Sequence, residues 1–195
     1  MAFNINLFQG AMKLGGARPN LFQVNISNPV NGAADIQVPF MVRATQIPAA
    51  TLGTVPLMYF GRQLNLAGNR TFAEWTVQVL NDEDFAVRNA LEQWSNAINS
   101  FQGNLRNLGS ASPTAYKGTA QVTQYSKTGV PLRVYNFVGM FPTDVAATEL
   151  DWGSNDTVQE FSCTFIYDYW EVSGGVTGNA AVSYTHLTLP TKRIV

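Results

Sequence analysis

The sequence predicts a mainly β domain carrying one packed α-helix, a β-sandwich or open barrel, and three observations predict it. Within Thr71–Leu80 the bulky apolar residues Trp75, Val77 and Val79 fall on alternate positions, the period of a half-buried strand. Directly afterwards Val87, Leu91, Trp94, Ile98 and Phe101 recur at helical spacing, one apolar stripe on an amphipathic helix. Along the whole chain about six to eight short strands are expected, punctuated by Gly, Pro and Asn clusters, as in sandwiches and barrels.

Taken in order, Met1–Gly16 reads as an arm with scattered apolar residues, closed by Gly15 and Gly16. Arg18–Ser27 reads as a strand with Phe22, Val24 and Ile26 on one face, and Asn28–Gly32 as a turn. Ile36–Thr45 is expected to be a second strand, with Pro39 implying an edge or a bulge. Gln46–Gly53 reads as a loop, and Val55–Leu66 as an irregular strand or hairpin arm around Gly61. Asn81 is placed as the cap of the helix, with Asp82, Glu83 and Asp84 suiting the positive end of its dipole. Gln102–Pro113 is a loop; Tyr116–Tyr125 and Val130–Val138 form a hairpin turning at Ser126–Gly129; Phe141–Thr148 is a loop carrying Pro142. Thr157–Trp170 is expected to be the longest strand, with Phe161, Cys163, Phe165, Tyr167 and Tyr169 alternating against Ser162, Thr164 and Asp168. The rings of Trp75, Trp94, Trp152, Phe161, Phe165 and Trp170 are expected to bind helix to sheets, each contributing roughly 1.5–3 kcal/mol.

No repeat or linker divides residues 1–172, which read as one domain. Residues 173–195 read as a flexible tail, opening on Gly174, Gly175 and Gly178. Within it Ser183–Val195, SYTHLTLPTKRIV, resembles vector read-through and is set aside as non-native. The only histidine, His186, goes with it, leaving ten Lys/Arg against thirteen Asp/Glu, a formal charge of −3.

This composition argues against most chemistry. Without a body histidine there is no Ser–His or Cys–His pair and no imidazole ligand for a metal. Cys163, the single cysteine, sits mid-strand on the apolar face and reads as a buried small hydrophobe. No phosphate loop, calcium loop or paired carboxylates appear, so an enzyme, a cofactor and a metal site are not expected. The body cations are scattered and the net charge has the wrong sign for reading nucleic acid. No apolar run approaches the roughly 18–20 residues of a membrane helix, and MAFNINLFQGAMK lacks the features of an export signal. Charged residues are only 13% of the chain while amides and hydroxyls abound, which fits faces covered by other copies of the same protein.

Three blocks carry a family resemblance. NRTFAEWTVQVLNDEDFAVRNALEQW (Asn69–Trp94), GGARPNLFQV (Gly15–Val24) and LDWGSNDTVQEFSCTFIYDYWE (Leu150–Glu171) together resemble the tail tube proteins of contractile-tailed, myovirus-type bacteriophages. The resemblance implies a structural virion protein, made in the host cytoplasm. Its subunits form hexameric rings that stack inside a contractile sheath as a conduit for double-stranded DNA. It implies contacts with other copies, the tail sheath, the baseplate and the tail terminator, and strands that complete a large barrel in the ring. On that reading Lys117, Thr119, Gln121, Thr123 and Tyr125 are candidates for the lumen wall, because their segment is polar on one side. Phe3, Leu7, Phe8, Ile47, Leu52, Met58 and Tyr59 are candidates for ring stacking, being apolar without an evident partner. The tube of a phage-derived contractile injection particle stays open as an alternative, as does a monomeric β-barrel binding module.

Overall fold

The computed structural model describes residues 5–12, 16–106 and 112–174. Phe3 and the tail beyond Gly174, Ser183–Val195 included, lie outside the described residues, and so does the Leu7 side chain. The chain forms helices α1 (Ile5–Ala11), α2 (Val38–Met41) and α3 (Ala86–Ile98). Its strands are β1 (Phe22–Ser27), β2 (Val42–Thr45), β3 (Ala50–Tyr59), β4 (Arg62–Phe72), β5 (Trp75–Leu80), β6 (Gly118–Tyr125), β7 (Pro131–Val145), β8 (Glu160–Ile166) and β9 (Tyr169–Val172). The architecture is mainly β with one principal helix, as expected.

Seven strands join in one antiparallel sheet of order β1-β6-β7-β8-β5-β2, with β9 also pairing β7. The sheet folds at a corner. The first part of β7 pairs β6 on one flank and β9 on the other, and its last residues pair β8. Gly139 makes the bend at φ +70°, a conformation that glycine adopts without steric cost. A Cβ there would fall on the Asp168 carboxylate. On the facing strand the chain breaks in register with it: β8 ends at Ile166 and β9 resumes at Tyr169, while Asp168 N–H donates to the Val138 carbonyl at 3.0 Å. Strands that change sheets through such bends are how two half-sheets come to face each other.

The two halves, β1-β6-β7-β9 and β7-β8-β5-β2, bury their inner faces against each other and against α3. Val24, Val122 and Phe137 meet Trp75, Val77, Phe161, Cys163 and Phe165, with Trp94 from the helix. Trp75 and Phe137 stack across the gap, centroids 4.4 Å apart and planes 12° from parallel. The two fully buried tryptophans have their polar ends satisfied: Trp75 Nε1–H donates to Thr45 Oγ1 at 2.9 Å and Trp94 Nε1–H to the Tyr116 carbonyl at 2.7 Å. At Gly118 a Cβ would strike the Ser27 carbonyl and lie 2.8 Å from Trp94, so the helix seats closely only because no side chain is there.

The structure corrects several expectations. Asn81 does not cap the helix; its N–H donates to the Gln159 carbonyl at 2.9 Å, a continuation of the β5–β8 edge. The acids at 82–84 lie in the preceding turn, and Phe85, left-handed at φ 50°, takes the cap position. Phe101 lies beyond the helix and is exposed. Pro39 sits in the first turn of α2, where its fixed φ is favourable, so only Val42–Thr45 of the expected second strand is extended. Phe141–Val145 is strand rather than loop, and the expected long strand is the broken pair β8 and β9. The expected arm holds α1, and β3 begins inside the expected loop at Ala50. Trp152 is 100% exposed and takes no part in packing, because the loop from Ala146 to Gln159 stands off the sheet.

Trp94→Ala is expected to destabilise the protein by about 3–5 kcal/mol, through lost burial and a cavity beside Gly118. Trp152→Ala is expected to leave the melting temperature unchanged. Thermal unfolding of the two variants side by side checks both.

Candidate assembly surfaces

Alternation along β1, β6, β7 and β9 turns one set of side chains into the core and the other outward. Outward, the ladder aligns residues in rows. Asn25 pairs Gln121, Gln121 pairs Asn136 and Asn136 pairs Glu171. Gln121 Nε2–H donates to Asn136 Oδ1 at 3.1 Å, and Asn136 donates to Ser173 Oγ. The next row runs Ser27, Thr119, Val138 and Tyr169. Glu171 is the one charged residue on this face among the described residues of the four strands.

The lumen candidates distribute unevenly over it. Thr119 and Gln121 are exposed on the outward face. Thr123 shares their side of the strand yet is only 5% exposed. Tyr125 is half-buried and its hydroxyl donates to Gln23 Oε1 at 2.8 Å. Lys117 precedes the strand and is engaged, its Nζ 2.6 and 2.8 Å from the two oxygens of Asp168. Asn25, Asn136 and Glu171 share this face with Gln121 without being among the candidates. Their signal was the polar parity of each strand, which shows only once the strands are aligned.

A second surface is the β3–β4 hairpin. It leaves the edge of the sheet between β2 and β5, pairs with itself from Ala50–Phe72 to Tyr59–Arg62, and is exposed along nearly all its length. At about 3.3 Å per residue its ten-residue arm spans roughly 33 Å. Leu52, Leu57, Met58, Tyr59, Phe60, Leu64 and Leu66 are all exposed, whereas Ile47 is partly buried against the core. Its base is anchored: Tyr167 hydroxyl donates to the Ala73 carbonyl at 2.6 Å, and Phe72 lies edge-on to Tyr167 and Trp170. On α1, Ile5 and Phe8 are exposed as well.

No chemistry gathers on these surfaces. Among the described residues no group of His, Cys, Asp and Glu could hold a metal ion, and no helix is long and apolar enough to cross a membrane. Burial, with Asp144 nearby, pushes the Cys163 thiol far above its ordinary pKa and keeps it protonated.

Comparison with known proteins decides what such a molecule is. The family model for phage tail tube proteins matches residues 12–173. The chain belongs to the phage tail tube protein family. It is 38% identical over 156 residues to the tail tube protein gp19 of Enterobacteria phage T4, covering 80% of this chain and 91% of that one. It is 27% identical over 168 residues to the tail tube protein of Serratia phage KSP90, covering 84% and 93%. Among solved structures it resembles a chain of the sheath/tube terminator assembly of an extracellular contractile injection system. That match has a TM-score of 0.62 at 16% identity, over 84% of this chain and 100% of the other, a likeness of fold. The tail tube family is structural rather than enzymatic, and its members are components of the virion tail.

For this tail tube protein the hairpin anchor is testable. Tyr167→Phe leaves the Ala73 carbonyl without its donor and is expected to cost about 1–2 kcal/mol in denaturant unfolding. Burial raises the Tyr167 phenol from 10 to about 12, so the unfolded phenol ionises first. Its contribution to stability is therefore intact below pH 10 and lost as pH rises toward 12. That part of the alkaline slope is expected to be absent in Tyr167→Phe.

Proposed function

We propose that residues 1–172 act as the tube subunit of a contractile phage tail, six copies closing a ring and rings stacking into a conduit for double-stranded DNA. The observation that carries the reading is the half-sheet β1-β6-β7-β9. Its strands alternate in direction, and its end strands, β1 and β9, have no second strand partner among the described residues. Because β1 and β9 run in opposite senses, the β9 edge of one copy meets the β1 edge of the next antiparallel. Copies joined head to tail thus continue one uniform ladder. A ring closed this way removes both edges. Six such half-sheets give a wall of about two dozen strands, more than the 16–18 that already leave an aqueous channel in porins.

The outward face then lines the channel with amides and hydroxyls, Gln121 and Thr119 among them. A wall with no cation among the described residues of this face, and only the Glu171 carboxylate as a charge, forms no ion pairs with phosphate, which lets DNA pass without being held. The relatives' identity as phage tail tubes favours a phage tail over an injection particle. Structures of like fold from injection systems, in a baseplate, a sheath–tube complex and a tube terminating cap, support contacts of the same kind with sheath, baseplate and terminator. The hairpin and α1, with Leu52, Met58, Tyr59 and Phe8 exposed, are assigned to the contact between rings.

Full-length protein at high concentration is expected to show rings with a central hole in negative-stain electron microscopy. In Gln121→Cys tubes, a small maleimide should label the new thiol while a bulky polymer maleimide should not; Cys163, being buried, stays silent. Equal labelling of tube and monomer by the bulky reagent would overturn the lumen assignment. Gln121→Lys tubes are expected to retain DNA at low salt and release it at high salt, in filter-retention assays where the unmodified tubes retain none.

A further inference from the structure

We infer that the tip of the β3–β4 hairpin docks, in a second copy of this chain, on the acidic loop between Val145 and Glu160. The inference rests on the stacked-ring reading and supplies the receiving surface which that reading lacks.

Placement comes first. The hairpin leaves β2 and enters β5 at the end of the half-sheet marked by the pairs Thr45–Val77 and Trp75–Phe165. The acidic loop hangs at the opposite end, where Leu80 pairs Glu160. Donor and receiver therefore lie at opposite ends of the strands in one molecule. A contact between them is heterologous and repeats along the strand direction without closing. The β1 and β9 edges face across the strands instead, so the two contacts do not compete.

Charge is complementary. Residues 50–72 carry Arg62 and Arg70 and no carboxylate, whereas residues 146–159 carry Glu149, Asp151 and Asp156 and no cation. Nearby cations are already committed: Arg43 pairs Glu160, and Arg88 pairs Glu92 and donates to Thr148.

Both surfaces also present aromatic groups to solvent. At the hairpin tip Tyr59 and Phe60 meet edge to face, centroids 4.6 Å apart. Phe60 is 90% exposed at φ 45°, a left-handed turn position where Asn or Gly sits with less strain. On the loop, Trp152 and Leu150 are exposed at the rim of an open groove of about 770 Å³, floored by Gln78 and Ser162. Arg62, opposite Tyr59 in the ladder, supplies a guanidinium for the Trp152 face with the Asp151 carboxylate beside it. Exposed apolar groups of this size, flanked by matched charges, are what an interface leaves on the free subunit.

The test is a charge exchange in the full-length chain, read by native mass spectrometry for rings and electron microscopy for tubes. Arg62→Glu and Asp151→Arg are each expected to leave rings intact and to raise the protein concentration needed for tube growth by at least about tenfold. The double variant is expected to restore growth to within a few-fold of the original, since exchanged charges still attract. Trp152→Ala is expected to impair tube growth with an unchanged melting temperature. Tubes that grow normally in Asp151→Arg and Trp152→Ala would overturn this contact while leaving the tube reading in place. Failure of the unmodified chain to form rings or tubes would overturn both.

Discussion

A chain of aromatic rings holds the molecule together, and the other elements are placed relative to it. It starts at Trp94 on the helix and passes through Phe165 to Trp75. From there it crosses to Phe137 and on to Tyr167 and Phe72, ending at Trp170 and Tyr135. Those residues belong to α3, β4, β5, β7, β8, β9 and the break before β9. Adjacent rings lie between 4.4 and 6.3 Å apart, within the range of favourable edge and offset contacts. The constraint is geometric as well as energetic. Close packing leaves large rings little room to shift, so the corner of the sheet, the seat of the helix and the base of the hairpin are set together.

The corner follows from that constraint and separates two tasks. Gly139 and the Tyr167–Asp168 break let the sheet fold over the stacked Trp75–Phe137 pair, and Lys117 closes the outside of the bend onto Asp168. One half-sheet then offers open edges and an amide face; the other carries the hairpin at one end and the acidic loop at the other. A single core thus supports surfaces that point in different directions, which an assembly growing both around and along an axis requires.

Legibility in the sequence tracked how local each determinant was. Trp75, Val77 and Val79 announced β5 because alternation of bulky residues is a property of neighbours along the chain. The helix stripe at Val87, Leu91 and Trp94 was legible for the same reason. Asn81 was misread because its backbone N–H and its side-chain amide both donate to Gln159, a partner 78 residues away. The β8–β9 break was hidden because Asp168 looks like the polar side of a continuing strand. Its role depends on Gly139 and Lys117, both distant in sequence. Trp152 shows the limit most plainly. Ring size says how much burial could contribute, but not whether a loop returns the ring to the core. The polar parity of β6 was visible, while the row it forms with Asn25, Asn136 and Glu171 required the register.

The hairpin is not an appendage on a flexible tether; its two arms continue through short connections into the edge strand β2 and its neighbour β5. A pull along its length therefore slides whole strands past their neighbours, and every rung of the β2–β5 and β5–β8 ladders resists at once. A pull at right angles would open the same rungs one after another, at far lower force. The connection gives the subunit a stiff direction, along the strands, and a compliant one across them. A rod assembled from such units is built to transmit a thrust from one end to the other.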